Sequence, residues 1–358
     1  MDFALSADQR LMQDSLAGVL ARAAPLTRVR SFAESGEPVA SDVWAELTAL
    51  GVPGMLIAEE HGGLALTLLD AALVAEAIAG FVAPAPFLGS AVLAPLAVSL
   101  AGSPAQQAAW LPKLAAGEIV AGAVLHEALA GARDAAGVDA SDGKLTGASM
   151  FALDAPGADL LVVADRTGGL WLAEGAAADI RPLPTIDATR RFAEVRFDQT
   201  AAEPLAGQDA LPALRDAAFV ILAADMLGAA QAMLDKAVAY AKERQQFGRP
   251  IGSFQAVKHL CAEMTAELEP SRALVWYAGY AFDHVPAEAP LVAAHAKAHL
   301  SEVSRFVART ATEVHGGMGF TDLLGLHFWF KRVGLDRQLF GGPEQIRLHA
   351  ARLQGLAA

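Results

Sequence analysis

The chain has 358 residues, 54% of them hydrophobic and 19% charged, with 27 Lys and Arg against 40 Asp and Glu for a formal net charge of −13. That composition supports a large buried core and excludes a mostly disordered chain. It also excludes a nucleic-acid or anionic-membrane partner held by a general positive field, because neutralising phosphates takes clustered Lys and Arg.

Residues Ser6 to about Gly117 carry a helical period, with Ser6 or Asp8 placed to cap a first helix whose apolar positions are Leu11, Met12, Leu16, Val19 and Leu20. Glu59 to Gly63 and Ala83 to Pro86 read as loops between helices, because Gly and Pro interrupt them. After Ile119 short apolar runs separated by Gly, Asp and Pro predict strands at 121–125, 160–164, 169–173 and 192–197. From about Leu211 the helical period returns, in long segments at 217–244, 254–284 and 290–315. The expected order is therefore α, then β, then α, an α+β fold with domains at 1–118, 119–206 and 207–358.

The apolar stretches Leu88 to Gly102 and Phe219 to Leu234 are interrupted by Pro95 and Asp225, so they are expected to be buried helices and no membrane span is expected. Acidic residues near Met1 predict no secretory address. Cys261 is the sole cysteine, which removes an intrachain disulfide and a cysteine-based zinc site and fits a cytoplasmic setting. No metal-ligand spacing joins His259, Cys261, His315 and His327, which read as packed or capping residues, and Trp329 reads as core.

Two polar clusters carry chemistry. Lys242 to Gln255 joins two long helices and contains Arg244, Phe247, Gly248 and Gln255; an Arg ending one helix and a Gln opening the next can converge on a phosphate or a ring edge. A plain capped turn explains the same residues. Glu313 to Thr321 contains Gly316 and Gly317 directly after a helix, where backbone N–H groups can approach a phosphate closely. A Gly-rich helix C-cap is the bland alternative.

Together and in this order, Arg244-Gln-Gln-Phe-Gly-Arg-Pro-Ile-Gly-Ser-Phe-Gln255 and His315-Gly-Gly-Met-Gly-Phe-Thr321 resemble the acyl-CoA dehydrogenase family, and the likeness runs from the first helix to Arg332 and Gln345. The resemblance implies an N-terminal helical domain, a middle β domain and a C-terminal four-helix bundle. It also implies an FAD shared between subunits: Arg244, Phe247 and Gln255 contact it, and Gly316, Gly317 and Gln345 come from the adjoining subunit. The implied reaction is dehydrogenation of an acyl-CoA thioester to a 2-enoyl-CoA in a homodimer, homotetramer or heteromeric assembly, with an electron-transferring flavoprotein as acceptor. Asp187-Ala188-Thr189-Arg190-Arg191 resembles a segment of short bacterial members and equally reads as a charged turn.

A catalytic carboxylate is indispensable to that reaction. The two positions where the family places it fall on Gly341 and Ala218, neither of which carries one. Glu313 stands where the family has Gln, and Leu125-His126-Glu127-Ala128-Leu129 stands in place of its Thr-Glu-Pro segment. Asp225 lies seven residues beyond Ala218 on the same helical face and is the candidate base, with Glu344 a weaker one expected on the first turn of the last helix. Otherwise the chain is the partner subunit that completes the site of a base-bearing paralogue.

Overall fold

The structure is a computed structural model that describes residues 4–131, 136–207 and 210–357. It opens with helices α1 (Ala7–Ala23), α2 (Leu26–Glu34), α3 (Ser41–Ala49) and α4 (Leu68–Gly80). A six-residue π-helical stretch, Leu88–Leu93, then runs into α5 (Ala94–Ala101), followed by α6 (Pro104–Ala115). Local chemistry sets three of these starts. Ser6 with Gln9, Thr67 with Asp70, and Ser103 with Gln106 each form a reciprocal capping box that satisfies two first-turn N–H groups.

The middle of the chain gives β1 (Ala121–Val124), the short α7 (His126–Ala130), β2 (Gly137–Ser141), β3 (Lys144–Leu153), β4 (Leu160–Ala164), β5 (Leu170–Glu174), β6 (Asp179–Leu183), β7 (Phe192–Ala201) and β8 (Glu203–Leu205). The sheet order is β6-β7-β3-β1-β4-β5-β8, with β2 also paired to β3. β1 and β4 are parallel, Ala121 opposite Leu160, and the other pairs are antiparallel. One face buries Leu153, Leu160, Val162 and Phe192 against the helices; the other encloses a smaller core of Val124, Leu161, Val163, Val195 and Phe197. Alternation of side chains across a strand produces this division.

The last third is a bundle of α8 (Ala210–Glu243), α9 (Gln255–His284) and α10 (Ala289–His315), closed by α11 (Leu326–Asp336) and α12 (Pro343–Leu353). A two-residue hairpin, β9 (Gln245–Gln246) with β10 (Arg249–Pro250), joins α8 to α9. Every residue of α8 from Asp216 to Ala230 is buried, because the helix is the axis on which α4, α9, α10 and α11 pack. The most apolar window of α8 is long enough to cross a membrane and is 89% buried within the protein. α4 crosses α8 so closely that a Cβ at Gly228 would stand 2.0 Å from the carbonyl oxygen of Glu76, which only glycine avoids. Both stretches expected as buried helices, 88–102 and 219–234, are so.

Candidate active site and cofactor-binding ends

α8 and α10 run parallel, and their C-terminal ends meet: the rings of Tyr240 and His315 stack with centroids 4.7 Å apart. One turn beyond Tyr240 the chain leaves α8 at Arg244, and one residue beyond His315 it leaves α10 at Gly316. The hairpin that follows turns through Phe247 (φ +53°) and Gly248 (φ +74°), leaving the Phe247 side chain 92% exposed. Arg249 lies over the ring of Phe254, 4.1 Å from its centroid. Gln255 opens α9, a 30-residue helix whose N-terminus has no side-chain cap.

Arg244 and Gln255 are exposed, and their side chains make no hydrogen bond or ion pair among the described residues. A Cβ at Gly316 or Gly317 would meet nothing within 4 Å. An uncapped helix N-terminus, a free guanidinium and open backbone at one end of a bundle form a donor set suited to a phosphate or pyrophosphate. The cofactor's phosphate half fits these residues. Glu313 is exposed on the last turn of α10.

Gln345 lies at the opposite end. Its Nε2 donates to the carbonyl of Ala130 at 3.0 Å, which fastens α12 to α7. The loop before α12 is tied to the start of α10 through Lys297, whereas Gly316 follows the end of that helix; the rise of α10 separates the two by about 27 Å. Within one chain Gln345 therefore cannot share a phosphate with Gly316 and Gly317. Gly316 and Gly317 therefore lie at the same end of the bundle as Arg244, and Gln345 at the other.

Beside Gln345 the rings of His126 and Phe151 lie 5.4 Å apart, and those of His126 and Phe340 6.2 Å. His126 and Phe151 border a cavity of about 560 Å³ that continues along β3 to Arg166 and Arg196. Glu127 is occupied at its floor, accepting from Ser149 Oγ and from the Met150 N–H.

Gly341 has φ +118°, a conformation that side-chain-bearing residues rarely adopt, and a Cβ there would stand 3.2 Å from Gln345 Oε1. Its carbonyl accepts from Lys297 Nζ at 3.2 Å, and the same ammonium donates to the Asp336 carbonyl at 3.1 Å and lies 5.8 Å from the Phe219 ring. Lys297 is fully buried, and desolvation lowers its pKa to about 7. Ala218 is fully buried and Phe219 and Phe340 are 3% and 1% exposed. Neither position where the family carries its base has a carboxylate here, Ala218 is enclosed in the core, and the Gly341 carbonyl is engaged by Lys297.

The candidate base Asp225 sits in a buried ion pair. Its two oxygens accept from Arg332 Nε at 2.8 Å and Nη2 at 2.6 Å, a fork-on-fork pair that is fully enclosed. Burial alone would raise its pKa, but the Arg332 charge and hydrogen bonds, helped by Arg190, hold it down at about 2. A carboxylate so committed is a poor proton acceptor. Asp225 is a structural ion-pair member.

Arg332 also donates to Thr189 Oγ1 at 3.1 Å, and Arg190 pairs with Asp187 at 2.9 Å and meets Asp336 at 2.6 Å. Arg191 reaches the carbonyls that end α2, at Phe32, Ser35 and Glu37. The Asp187–Arg191 run is therefore a turn joining all three parts of the fold. Lys297 and Asp336 escaped sequence reasoning, although Lys297 between Ala296 and Ala298 on an alanine-rich helix was a readable signal. Glu344 stands on the first turn of α12, near Arg337. Trp329 is core, donating to the Gly80 carbonyl at 3.0 Å, and His315 Nδ1 pairs with the Ala311 carbonyl at 2.7 Å.

Helices, sheet and bundle in this order define the fold of a dehydrogenase class. Residues 6–118 match the acyl-CoA dehydrogenase N-terminal domain and residues 218–353 the acyl-CoA dehydrogenase C-terminal domain. The chain is 32% identical over 340 residues, 95% of each chain, to acyl-CoA dehydrogenase IpdE2 of Mycobacterium tuberculosis. It is 31% identical over 345 residues to IpdE2 of Mycolicibacterium smegmatis, covering 96% of this chain and 98% of that one. Among solved structures, a Tcur3481–Tcur3483 steroid ACAD superposes with a TM-score of 0.88 at 27% identity, covering 97% and 98% of the two chains. The ChsE4–ChsE5 complex of Mycobacterium tuberculosis has the same fold, with a TM-score of 0.91 at 23% identity over the full length of both. The chain belongs to the acyl-CoA dehydrogenase family and is an oxidoreductase of that class.

Proposed function

We propose that this chain is one subunit of a heteromeric, FAD-containing acyl-CoA dehydrogenase in which the proton acceptor resides on a second, related chain. The observation that carries the reading is a contrast between its two ends. The end bearing Arg244, Phe247, Gln255, Gly316 and Gly317 is exposed, whereas Gly341 and Ala218 lack a carboxylate, the first engaged by Lys297 and the second enclosed in the core.

FAD, when bound, accepts the hydride from Cβ of the thioester. This chain's residues hold its phosphate half. Arg244 and the open N–H groups of α9 neutralise the pyrophosphate, Gln255 fixes orientation, and the bare backbone at Gly316 and Gly317 lets the nucleotide approach. Phe247, projecting into solvent, inserts between the subunits. The second chain supplies the ring site and the base. Likeness to a steroid acyl-CoA dehydrogenase supports a bulky, sterol-derived acyl group as substrate class, and two related chains in one complex support heteromeric assembly. Electrons leave to an electron-transferring flavoprotein in this reading.

The competing reading, a self-sufficient homo-oligomer using Asp225, requires a carboxylate that Arg332 holds on both oxygens. The test is purification of the chain alone and together with a co-expressed base-bearing paralogue, followed by flavin content and native mass. The proposal expects stoichiometric FAD only in the two-chain assembly. Full flavin loading of the chain alone, with turnover, would overturn it.

A further inference from the structure

The buried turn at 187–191 faces an unbalanced set of charges. Asp187 pairs with Arg190 and Asp225 with Arg332, which leaves the Asp336 carboxyl as a third acid between two guanidiniums. Asp336 is fully buried, and Asp187, Arg190, Asp225 and Arg332 are 8% exposed or less. Its Oδ1 lies 2.6 Å from Arg190 Nη2, yet neither oxygen of Asp336 accepts a well-aligned hydrogen bond among the described residues. The carboxyl of Asp225 faces it within hydrogen-bonding reach. Lys297 turns its ammonium to the backbone carbonyls of Asp336 and Gly341 and meets the Asp336 carboxyl only through its charge, and because burial lowers its pKa to about 7 that charge is lost above neutral pH. The remaining ionisable neighbours are Asp154, tied to the Gly89 N–H at 2.9 Å, and Arg337, paired with Glu302 at 2.9 Å.

We propose that Asp225 and Asp336 share a single proton, donated by Asp336 to the Asp225 carboxylate, and that this proton locks the middle-domain turn to α8 and α11. Two facing carboxylates in a dry site repel, so only one ionises. One proton makes three acids and two guanidiniums neutral, and it turns an acceptor without a donor into a donor with an acceptor. Burial and the Asp225 charge raise the pKa of Asp336 well above the ordinary carboxylate range, as this arrangement requires. Losing the proton leaves an uncompensated negative charge at the joint between the three parts of the fold.

The two adjacent aspartates therefore respond oppositely to one conservative change. Asp336→Asn mimics the protonated acid and preserves its donor, whereas Asp225→Asn leaves Arg332 unpaired. Thermal unfolding of the full chain from pH 6 to 10 is the first measurement. The proposal expects Asp336→Asn to melt at or above the parent and to lose part of the alkaline decline, while Asp225→Asn melts lower throughout. The second is an infrared difference spectrum, parent minus Asp336→Asn, at pH 8, above the value of about 7 to which burial raises Asp154. A carboxylic-acid carbonyl band present in the parent and lost in the variant supports the shared proton. Absence of that band, or an Asp336→Asn variant as destabilised as Asp225→Asn, overturns it.

Discussion

Tyr240 and His315 stack at 4.7 Å, and that contact clamps the end of α8 to the end of α10, placing Arg244 and Gly316 side by side. The Arg244 side chain makes no hydrogen bond or ion pair among the described residues. Arg244→Ala is expected to lower FAD affinity of the assembled protein about tenfold to a hundredfold, the loss of one or two charge-assisted hydrogen bonds. Its melting temperature should stay that of the parent. Titration of the flavin-free assembly with FAD, followed by flavin fluorescence, reads the change.

Removing one member of the Asp225–Arg332 pair strands a buried charge. Asp225→Asn is expected to cost about 3–5 kcal/mol in denaturant unfolding. The double variant Asp225→Leu with Arg332→Met should recover most of that loss, because an apolar pair pays no desolvation. A double variant no more stable than the single one would mean that Arg332 acts mainly through Thr189.

At Gly341 the backbone decides. With φ +118°, Gly341→Ala should destabilise by about 1–3 kcal/mol. Gly341→Glu, which nominally restores the family's carboxylate, should destabilise at least as much and leave the isolated chain inactive in an acyl-CoA dehydrogenation assay. Recovery of activity by that single change would show that the site is open.

Lys297 gives a pH signature. Burial lowers its pKa to about 7, below the 10.5 of an unfolded lysine, so the unfolded chain binds more protons between those values. Its contribution to stability consequently rises as pH increases from about 7 towards 10.5, and the penalty is full below 7. Lys297→Met should remove this rise, measured as the difference in unfolding free energy between pH 7 and pH 10, while costing stability overall through the unsatisfied carbonyls of Asp336 and Gly341.

The order of helices, sheet and bundle could be read directly, because a 3.6-residue period sustained over thirty residues is a strong signal and the strand runs are short and bounded by Gly and Pro. The three long helices lie at 210–243, 255–284 and 289–315, close to where periodicity placed them. β3 was not foreseen: Lys144 to Leu153 has Gly147 and Ser149 inside it and pairs through two register shifts, which breaks the alternation that marks a strand. In the site, residue types were legible and pairings were not. Asp225 stood out as a buried acid, but its partner lies 107 residues away, and chain spacing says nothing about which end of a bundle a loop occupies.

The central claim is that this chain carries the phosphate half of a flavin site and no proton acceptor of its own. The most direct test loads the purified chain with excess FAD and adds acyl-CoA thioesters, straight-chain and sterol-derived, under anaerobic conditions while the visible flavin band and the thioester product are followed. The account predicts an unchanged band and no enoyl thioester until a base-bearing second chain is added. Bleaching of the flavin with stoichiometric 2-enoyl-CoA by this chain alone would contradict it.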